Sequence, residues 1–325
     1  MKDLRIVFMG TPEFAVETLA TLLKQGCNVI GVVTVPDKPS GRGRKLNKSA
    51  VKEFAEANGL HPVLQPESLK DPGFITDLGA LRPDIIVVVA FRLLPEVVWR
   101  LPSGGTFNLH ASLLPDYRGA APINHVIING ETMTGVTTFL IDEHIDTGNI
   151  LLQEKLEILP AWNAGDIHDR LMVLGAGLVV RTLEGLSSGT LVPRPQTEFV
   201  IPGKTLSPAP RIFPKDCVID WSRGTVTIQN LIRGLSPYPA ARSALRKENT
   251  ETMFRIFESR IENWQRPVEP GTIITDGKEY FMIACADGLI SILNLQLEGR
   301  KRMNAREFLM GFRLPDYTIS LSWQV

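Results

Sequence analysis

The sequence is poor in cysteine and has no excess charge of either sign. Cys27, Cys217 and Cys285 lie far apart, form no CxxC pair and show no zinc spacing. That excludes a disulfide framework and points to reduced thiols in a cytoplasmic protein. Lys plus Arg is 35 and Asp plus Glu is 35, so there is no whole-protein basic field for nucleic acid, and any contact with RNA must use local patches. No apolar run approaches the roughly 20 residues that span a bilayer. The apolar start is short and carries Arg5, which suits a first strand better than a signal peptide. Internal repeats and low-complexity tracts are lacking. So is a GxGxxG fingerprint: the first strand ends in Gly10-Thr11-Pro12-Glu13-Phe14, which argues against a nicotinamide enzyme. Gly10 either shapes a ligand crevice or makes a plain strand-to-helix turn.

What is there reads as two domains, the usual expectation for 325 residues. The first half alternates short apolar runs with amphipathic stretches. Strands are expected at 4–9, 29–35, 85–90, 106–111, 136–141 and 150–156, and helices near 48–58, 72–80, 122–129 and 165–186. A further helix is expected to start at Thr11-Pro12-Glu13, with Thr11 as its cap and Pro12 at its first helical position. Runs such as Ile85-Ile86-Val87-Val88-Val89 suit strands buried on both faces. The pattern predicts an α/β fold with a Rossmann-like, open, mostly parallel sheet over residues 1–187. Residues 188–208 hold several prolines and no apolar period, and read as a linker. Residues 209–325 show short strand-like runs at 271–274, 280–285 and 289–297, turn signals between them, and a helix near 224–234. This suits a smaller β-barrel.

The informative stretch is Phe107-Asn108-Leu109-His110-Ala111-Ser112-Leu113-Leu114-Pro115. On a strand, Asn108 and His110 point to the same side. Two polar side chains ending an apolar strand are costly inside a core unless bonded, and at the carboxyl end of a sheet they face the usual ligand crevice. A satisfied structural pair explains this spacing equally well. Asp146 sits in a turn closed by Gly148, where spacing alone favours a turn cap. Should the two strands be neighbours, Asn108, His110 and Asp146 converge into an acyl-transfer site. The amide donates to a developing oxyanion, the imidazole moves or stabilises charge, and the carboxylate orients the imidazole or takes a proton. No Ser or Cys nucleophile has an obvious place, which favours direct transfer. Basic residues cluster at Lys38, Arg42, Arg44, Lys45, Lys48 and Lys52, and again at Arg300, Lys301, Arg302 and Arg306; such runs are usually solvated surface. Trp221, Trp264 and Trp323 read as core residues rather than stacking platforms.

Along nearly its whole length the chain resembles the methionyl-tRNA formyltransferase family. The matching pieces are Gly10-Thr11-Pro12-Glu13-Phe14-Ala15, Pro36-Asp37-Lys38-Pro39 leading into Gly41-Arg42-Gly43-Arg44-Lys45, Asn108 to Pro115 with Tyr117-Arg118-Gly119-Ala120-Ala121-Pro122-Ile123, and Asp146-Thr147-Gly148. In the second half they are Ile219-Asp220-Trp221, Ile232-Arg233-Gly234 and Leu295 to Met303. The resemblance implies a formyltransferase-type first domain and an OB-type barrel contacting tRNA. It implies transfer of the formyl group of 10-formyltetrahydrofolate to the α-amino group of methionine on initiator tRNA, with no metal. It also implies Asn108, His110 and Asp146 as catalytic residues, and tRNA contacts through Lys38, Arg42, Arg44, Lys45, Arg300, Lys301 and Arg302. The folate pocket expected from it comprises Phe91, Leu93, Leu94, Ser112, Leu113, Leu114, Pro115, Ile141 and Asp142. A cytoplasmic monomer is the expected form.

The chain departs from the family pattern at Arg92, where glycine is usual, and at His125 and His144. Arg92 is expected to point to solvent rather than to a folate tail, and His144 to be a loop variant. Glycinamide ribonucleotide formyltransferase resembles only the first domain. Sugar-nucleotide formyltransferases and the hydrolase part of formyltetrahydrofolate dehydrogenase are not expected to keep both basic segments. A non-catalytic tRNA-binding protein is disfavoured by the intact trio, and a metal hydrolase by the absence of a ligand spacing.

Overall fold

A computed structural model describes residues 3–40, 45–264 and 266–320, with the side chains of residues 39, 40, 45, 46 and 315 excepted. The chain forms two compact units. The first comprises residues 1–119, 134–157 and 168–208, and the second residues 120–133, 158–167 and 209–325.

In chain order the first half runs β1 (Ile6–Gly10), α1 (Glu13–Lys24), β2 (Val29–Val33), β3 (Lys38–Ser40), β4 (Lys45–Asn47), α2 (Ala50–Ala57), β5 (Val63–Leu64), α3 (Pro72–Ala80), β6 (Ile85–Val89), α4 (Glu96–Trp99), β7 (Thr106–His110), α5 (Pro122–Ile128), β8 (Met133–Leu140), β9 (Ile150–Glu157) and α6 (Ala164–Ser187). One sheet has the order β5-β2-β1-β6-β7-β8-β9. Its strands from β5 to β7 pair in parallel, and β8 pairs antiparallel with β7. Every residue of β1 and β6 is buried, because both faces of the sheet are covered. On one face Val7, Met9, Ile86 and Val88 pack with Phe74 and Leu78 of α3 and Val98 of α4. Burying such side chains supplies roughly 1.5–3 kcal/mol each.

Gly10 ends β1 where a Cβ would come within 2.7 Å of the Ala15 Cβ. Only glycine lets the chain turn this tightly into α1. The start of α1 corrects the sequence expectation. Pro12, in extended conformation, occupies the capping position, and no side chain caps the helix. Proline has no N–H to satisfy and its fixed φ already suits the entry, so Thr11 has no capping role.

The second unit contains α7 (Thr225–Leu235), β10 (Ala241–Lys247), β11 (Thr250–Glu262), β12 (Ile273–Thr275), β13 (Phe281–Ala284), β14 (Leu289–Leu297), β15 (Met303–Asn304), α8 (Ala305–Gly311) and β16 (Thr318–Ile319). Its antiparallel, nearly barrel-shaped sheet has the order β12-β13-β14-β11-β10-β16, with β15 on β14. Phe254, Phe281 and Phe308 stack through its core, with ring centroids 6.2 and 5.7 Å apart. Trp221 is 1% exposed and donates from Nε1 to Ser243 Oγ, as expected for a core residue. Trp264 is more exposed than that expectation, and Trp323 lies outside the described residues. The strands β10 and β11 escape a reading by apolar runs. β11 is long and rich in charged residues, and its register against β14 slips between Ile256 and Ser259. No helix among the described residues is long and apolar enough to cross a membrane.

Candidate active site

Strand β7 carries both Asn108 and His110. Leu109, between them, faces the other way and packs so closely on α6 that a Cβ on Gly175 would meet its Cδ2 at 2.7 Å. This alternation puts the two polar side chains on one side. His110 is 6% exposed. Its Nε2 lies 2.9 Å from the Tyr117 carbonyl. A carbonyl only accepts, so Nε2 carries a proton and donates. That leaves Nδ1 as the ring atom facing Asp146 Oδ2, at 3.8 Å. Phe139 of β8 meets the ring edge-on, with centroids 6.5 Å apart. Asn108 is half-buried, and its amide makes no hydrogen bond among the described residues.

Strand pairing alone does not bring Asp146 here. β8 runs antiparallel to β7, so Ile141 leaves the sheet beside Thr106, whose carbonyl accepts from its N–H. The loop 141–148 then folds back to place Asp146 beside His110 at the other end of β7. Asp142 braces this loop by accepting from the His144 N–H and the Thr147 hydroxyl. A Cβ on Gly148 would overlap the Leu140 carbonyl oxygen, so glycine is required at that crossing. Asp146 itself has φ +56°, a conformation that costs a non-glycine residue on the order of 1 kcal/mol. Its Oδ2 accepts from the Gly119 N–H at 3.0 Å.

The sequence reading missed Gln196. This residue is 5% exposed. Its Nε2 donates to the carbonyls of Asp146 and Gly148, each at 2.9 Å, and its Oε1 accepts from Arg118. Residues 188–208, read as a linker, group with the first unit. Arg194 pairs with Ile150, Ser207 bonds to Asp116 and Tyr117, and Lys204 forms an ion pair with Asp116. A proline-rich segment satisfies its polar groups on a neighbouring surface as readily as in water, and composition does not tell the two apart.

The residues expected to hold folate fall into two groups. Phe91, Leu94 and Ile141 share one apolar cluster. Leu93 and Leu94 also line a cavity of about 950 Å3 with Glu67, Lys70, Arg92 and Val97, a size typical of small-molecule sites. Leu93 is exposed. In the second group, the Ser112 hydroxyl donates to the Asp116 carbonyl at 2.7 Å and is not free as a nucleophile. Leu114 is buried against Phe139 and Ile150. Leu113 packs over Gly135, and Pro115 follows in the same loop. Arg92 does not point to solvent as expected. Its guanidinium donates to the carbonyls of Pro66 and Glu67 at 2.8 and 3.0 Å, and burial lowers its pKa from the ordinary value.

Among the basic residues, Lys38 lies in β3, which pairs with β4. Arg42 and Arg44 lie outside the described residues. Lys45 is described only by its place in β4. Lys52 is committed elsewhere: its Nζ donates to Asp37 and Gln65, each at 2.6 Å, and the Lys52 bond, with one donated by Gln65 Nε2, holds the Asp37 carboxyl below its ordinary pKa. Arg300, Lys301 and Arg302 are exposed and form no ion pair among the described residues. Arg302 lies 4.4 Å over the Phe257 ring. His125 donates to the Pro210 carbonyl, and His144 is an exposed loop residue.

Residues 4–183 match the family model "Formyl transferase", and residues 211–313 match "Formyl transferase, C-terminal domain". The chain is 51% identical to the methionyl-tRNA formyltransferase of Bacteroides thetaiotaomicron over 97% of its length and 98% of the relative's. It is 50% identical to that of Flavobacterium johnsoniae, again over 97% and 98%. Among solved structures, the sugar 3N-formyl transferase WlaRD aligns with a TM-score of 0.64 at 22% identity, covering 92% of this chain and 99% of that one; this likeness bears on the fold alone. The two domain matches, in order, and the half-identical sequence over nearly the full length show that the chain belongs to the methionyl-tRNA formyltransferase family.

Proposed function

We propose that the protein transfers the formyl group of 10-formyltetrahydrofolate to the α-amino group of methionyl-initiator tRNA. The observation that carries the chemistry is the approach of Asp146 to His110 beside the amide of Asn108, which is unbonded among the described residues. The tRNA acceptor is taken from the relatives, which match both halves of the chain.

In this reading the formyl carbon lies where Asn108 Nδ2 and His110 Nδ1 both donate to its oxygen as negative charge develops. One such donor is worth roughly 10²–10³-fold in rate. The attacking amine must be neutral, and a free α-amino group titrates near pH ~7.7. Asp146 faces the imidazole and orients it, and accepts the amine proton directly or through one water. The acceptor nitrogen adds to the formyl carbon, and the oxyanion so formed collapses with cleavage of the bond to the folate N10, which takes up the proton that Asp146 removed as tetrahydrofolate leaves. With Ser112 bonded to Asp116, no covalent enzyme intermediate enters the path.

Phe91, Leu93, Leu94 and Ile141 form the apolar wall for the folate ring in this scheme. Residues 112–115 and Asp142 shape the rest of its pocket. Lys38, Arg42, Arg44 and Lys45 follow the acceptor end of the tRNA, and Arg300, Lys301 and Arg302 contact its backbone. Residues 1–187 are the catalytic domain and 209–325 the tRNA-binding domain, joined by 188–208, in a monomeric cytoplasmic enzyme. The test is formyl transfer by the purified protein to methionyl-initiator tRNA, uncharged tRNA and a sugar-nucleotide amine. Transfer to the charged tRNA alone supports the reading, and transfer to the sugar nucleotide contradicts it.

A further inference from the structure

We infer that Gln196 is a positioning residue for the transfer, holding the Asp146 turn in its working conformation while Arg118 fixes the Gln196 amide. The inference rests on the role proposed for Asp146.

A buried primary amide has one acceptor oxygen and two N–H donors to satisfy. Gln196 uses all three. Its two donors go to the carbonyls of Asp146 and Gly148, and its oxygen accepts from Arg118 Nη2 at 2.6 Å and Nε at 3.2 Å. The guanidinium only donates and the two carbonyls only accept, so the amide has one orientation; a flipped amide would be repelled at both ends. What it grips is a turn that needs holding. Asp146 sits at φ +56°, a conformation a non-glycine residue keeps only when its surroundings impose it.

The bonds form a closed arrangement with the three consecutive residues Tyr117, Arg118 and Gly119. The Tyr117 carbonyl accepts from His110, the Arg118 side chain holds Gln196, and the Gly119 N–H holds the Asp146 carboxylate. One short segment thus fixes the imidazole, the carboxylate and the amide that locks the carboxylate's backbone. Removing the amide frees the turn that sets the 3.8 Å approach of Asp146 to His110. A misplacement of about 1 Å at a reacting group costs on the order of 10²-fold in rate.

The test is a double-mutant cycle. Gln196→Met removes the amide at nearly constant size and is compared with Asp146→Asn and with the double variant. The expected result is a kcat lowered about tenfold or more for Gln196→Met, with KM for both substrates within about threefold of wild type. The double variant is expected to lose no more than Asp146→Asn alone, because Gln196 acts only through Asp146. A wild-type kcat for Gln196→Met, a change confined to KM, or losses that multiply in the double variant would overturn the inference. An Asp146→Asn enzyme with wild-type turnover would overturn the proposed role of Asp146 and this inference together. An impaired Asp146→Asn beside an unimpaired Gln196→Met would overturn this inference alone. Should Gln196→Met not fold, Arg118→Met releases the same amide and is read in the same cycle.

Discussion

His110 presents Nδ1 to Asp146 Oδ2 across 3.8 Å, while its Nε2 is bonded to the Tyr117 carbonyl. The gap is too long for a direct hydrogen bond and leaves room for a third atom, a water or the incoming amine, to touch both groups. Asp146→Asn keeps the size of the side chain and removes its charge and basicity. Its turnover is expected to fall by about 10²–10⁴-fold, the usual worth of general acid–base help, while tRNA binding measured by filter retention stays unchanged. A variant that lost tRNA affinity and kept single-turnover transfer would contradict the assignment.

Asn108 is the complementary case, since its amide has no partner among the described residues to lose. Asn108→Ala should lower kcat by roughly 10²–10³-fold and leave the melting temperature within a degree or two (~1 kcal/mol or less for removing an unbonded polar group). Thermal melts and initial rates on one preparation read both.

Arg302 lies over the Phe257 ring with no acidic partner among the described residues. Arg302→Ala should raise KM for tRNA without lowering kcat, and should make the salt dependence of tRNA binding shallower by about one ion. Titration of binding against salt concentration checks the slope, and an unchanged slope would remove Arg302 from the RNA interface.

The Arg92 guanidinium ties residues 66 and 67 to the wall of the cavity lined by Leu93 and Leu94. Arg92→Ala should therefore raise KM for the folate substrate and leave KM for tRNA as it is. Steady-state kinetics with each substrate varied in turn separates the two.

Burial pushes the Cys285 thiol up to about 12 from an ordinary 9.0. A group whose pKa is raised on folding contributes stability that is fully present below its unfolded pKa and lost as pH rises toward its folded one. Stability should accordingly fall between about pH 9 and pH 12, and Cys285→Ala should flatten that slope. The same burial keeps all three cysteines from reacting with a thiol reagent until the chain unfolds.

The first sheet and the pair Asn108–His110 were legible because buried parallel strands write continuous Val and Ile runs, and because period two fixes which side chains share a face. The start of α1 was misread by one position because proline can itself occupy a cap. β10 and β11 were hidden because one face of an antiparallel strand carries arginine and glutamate as readily as any loop. Asp146 was legible only together with the family motif. β8, antiparallel to β7, carries the chain away from His110, and only the folded-back loop returns it. Gln196 left no local signal, since its three partners lie 48–78 positions away in sequence. For the same reason Arg92 read as a surface charge although two carbonyls fixed it in place.

The most direct measurement of the central claim is single-turnover formyl transfer from 10-formyltetrahydrofolate to methionyl-initiator tRNA, by the wild-type protein and by Asp146→Asn. The account predicts N-formylmethionyl-tRNA from the wild type, and a rate lower by about 10²-fold or more for the variant at unchanged tRNA affinity. Equal rates from the two proteins, or formate release with no formylated tRNA, would contradict it.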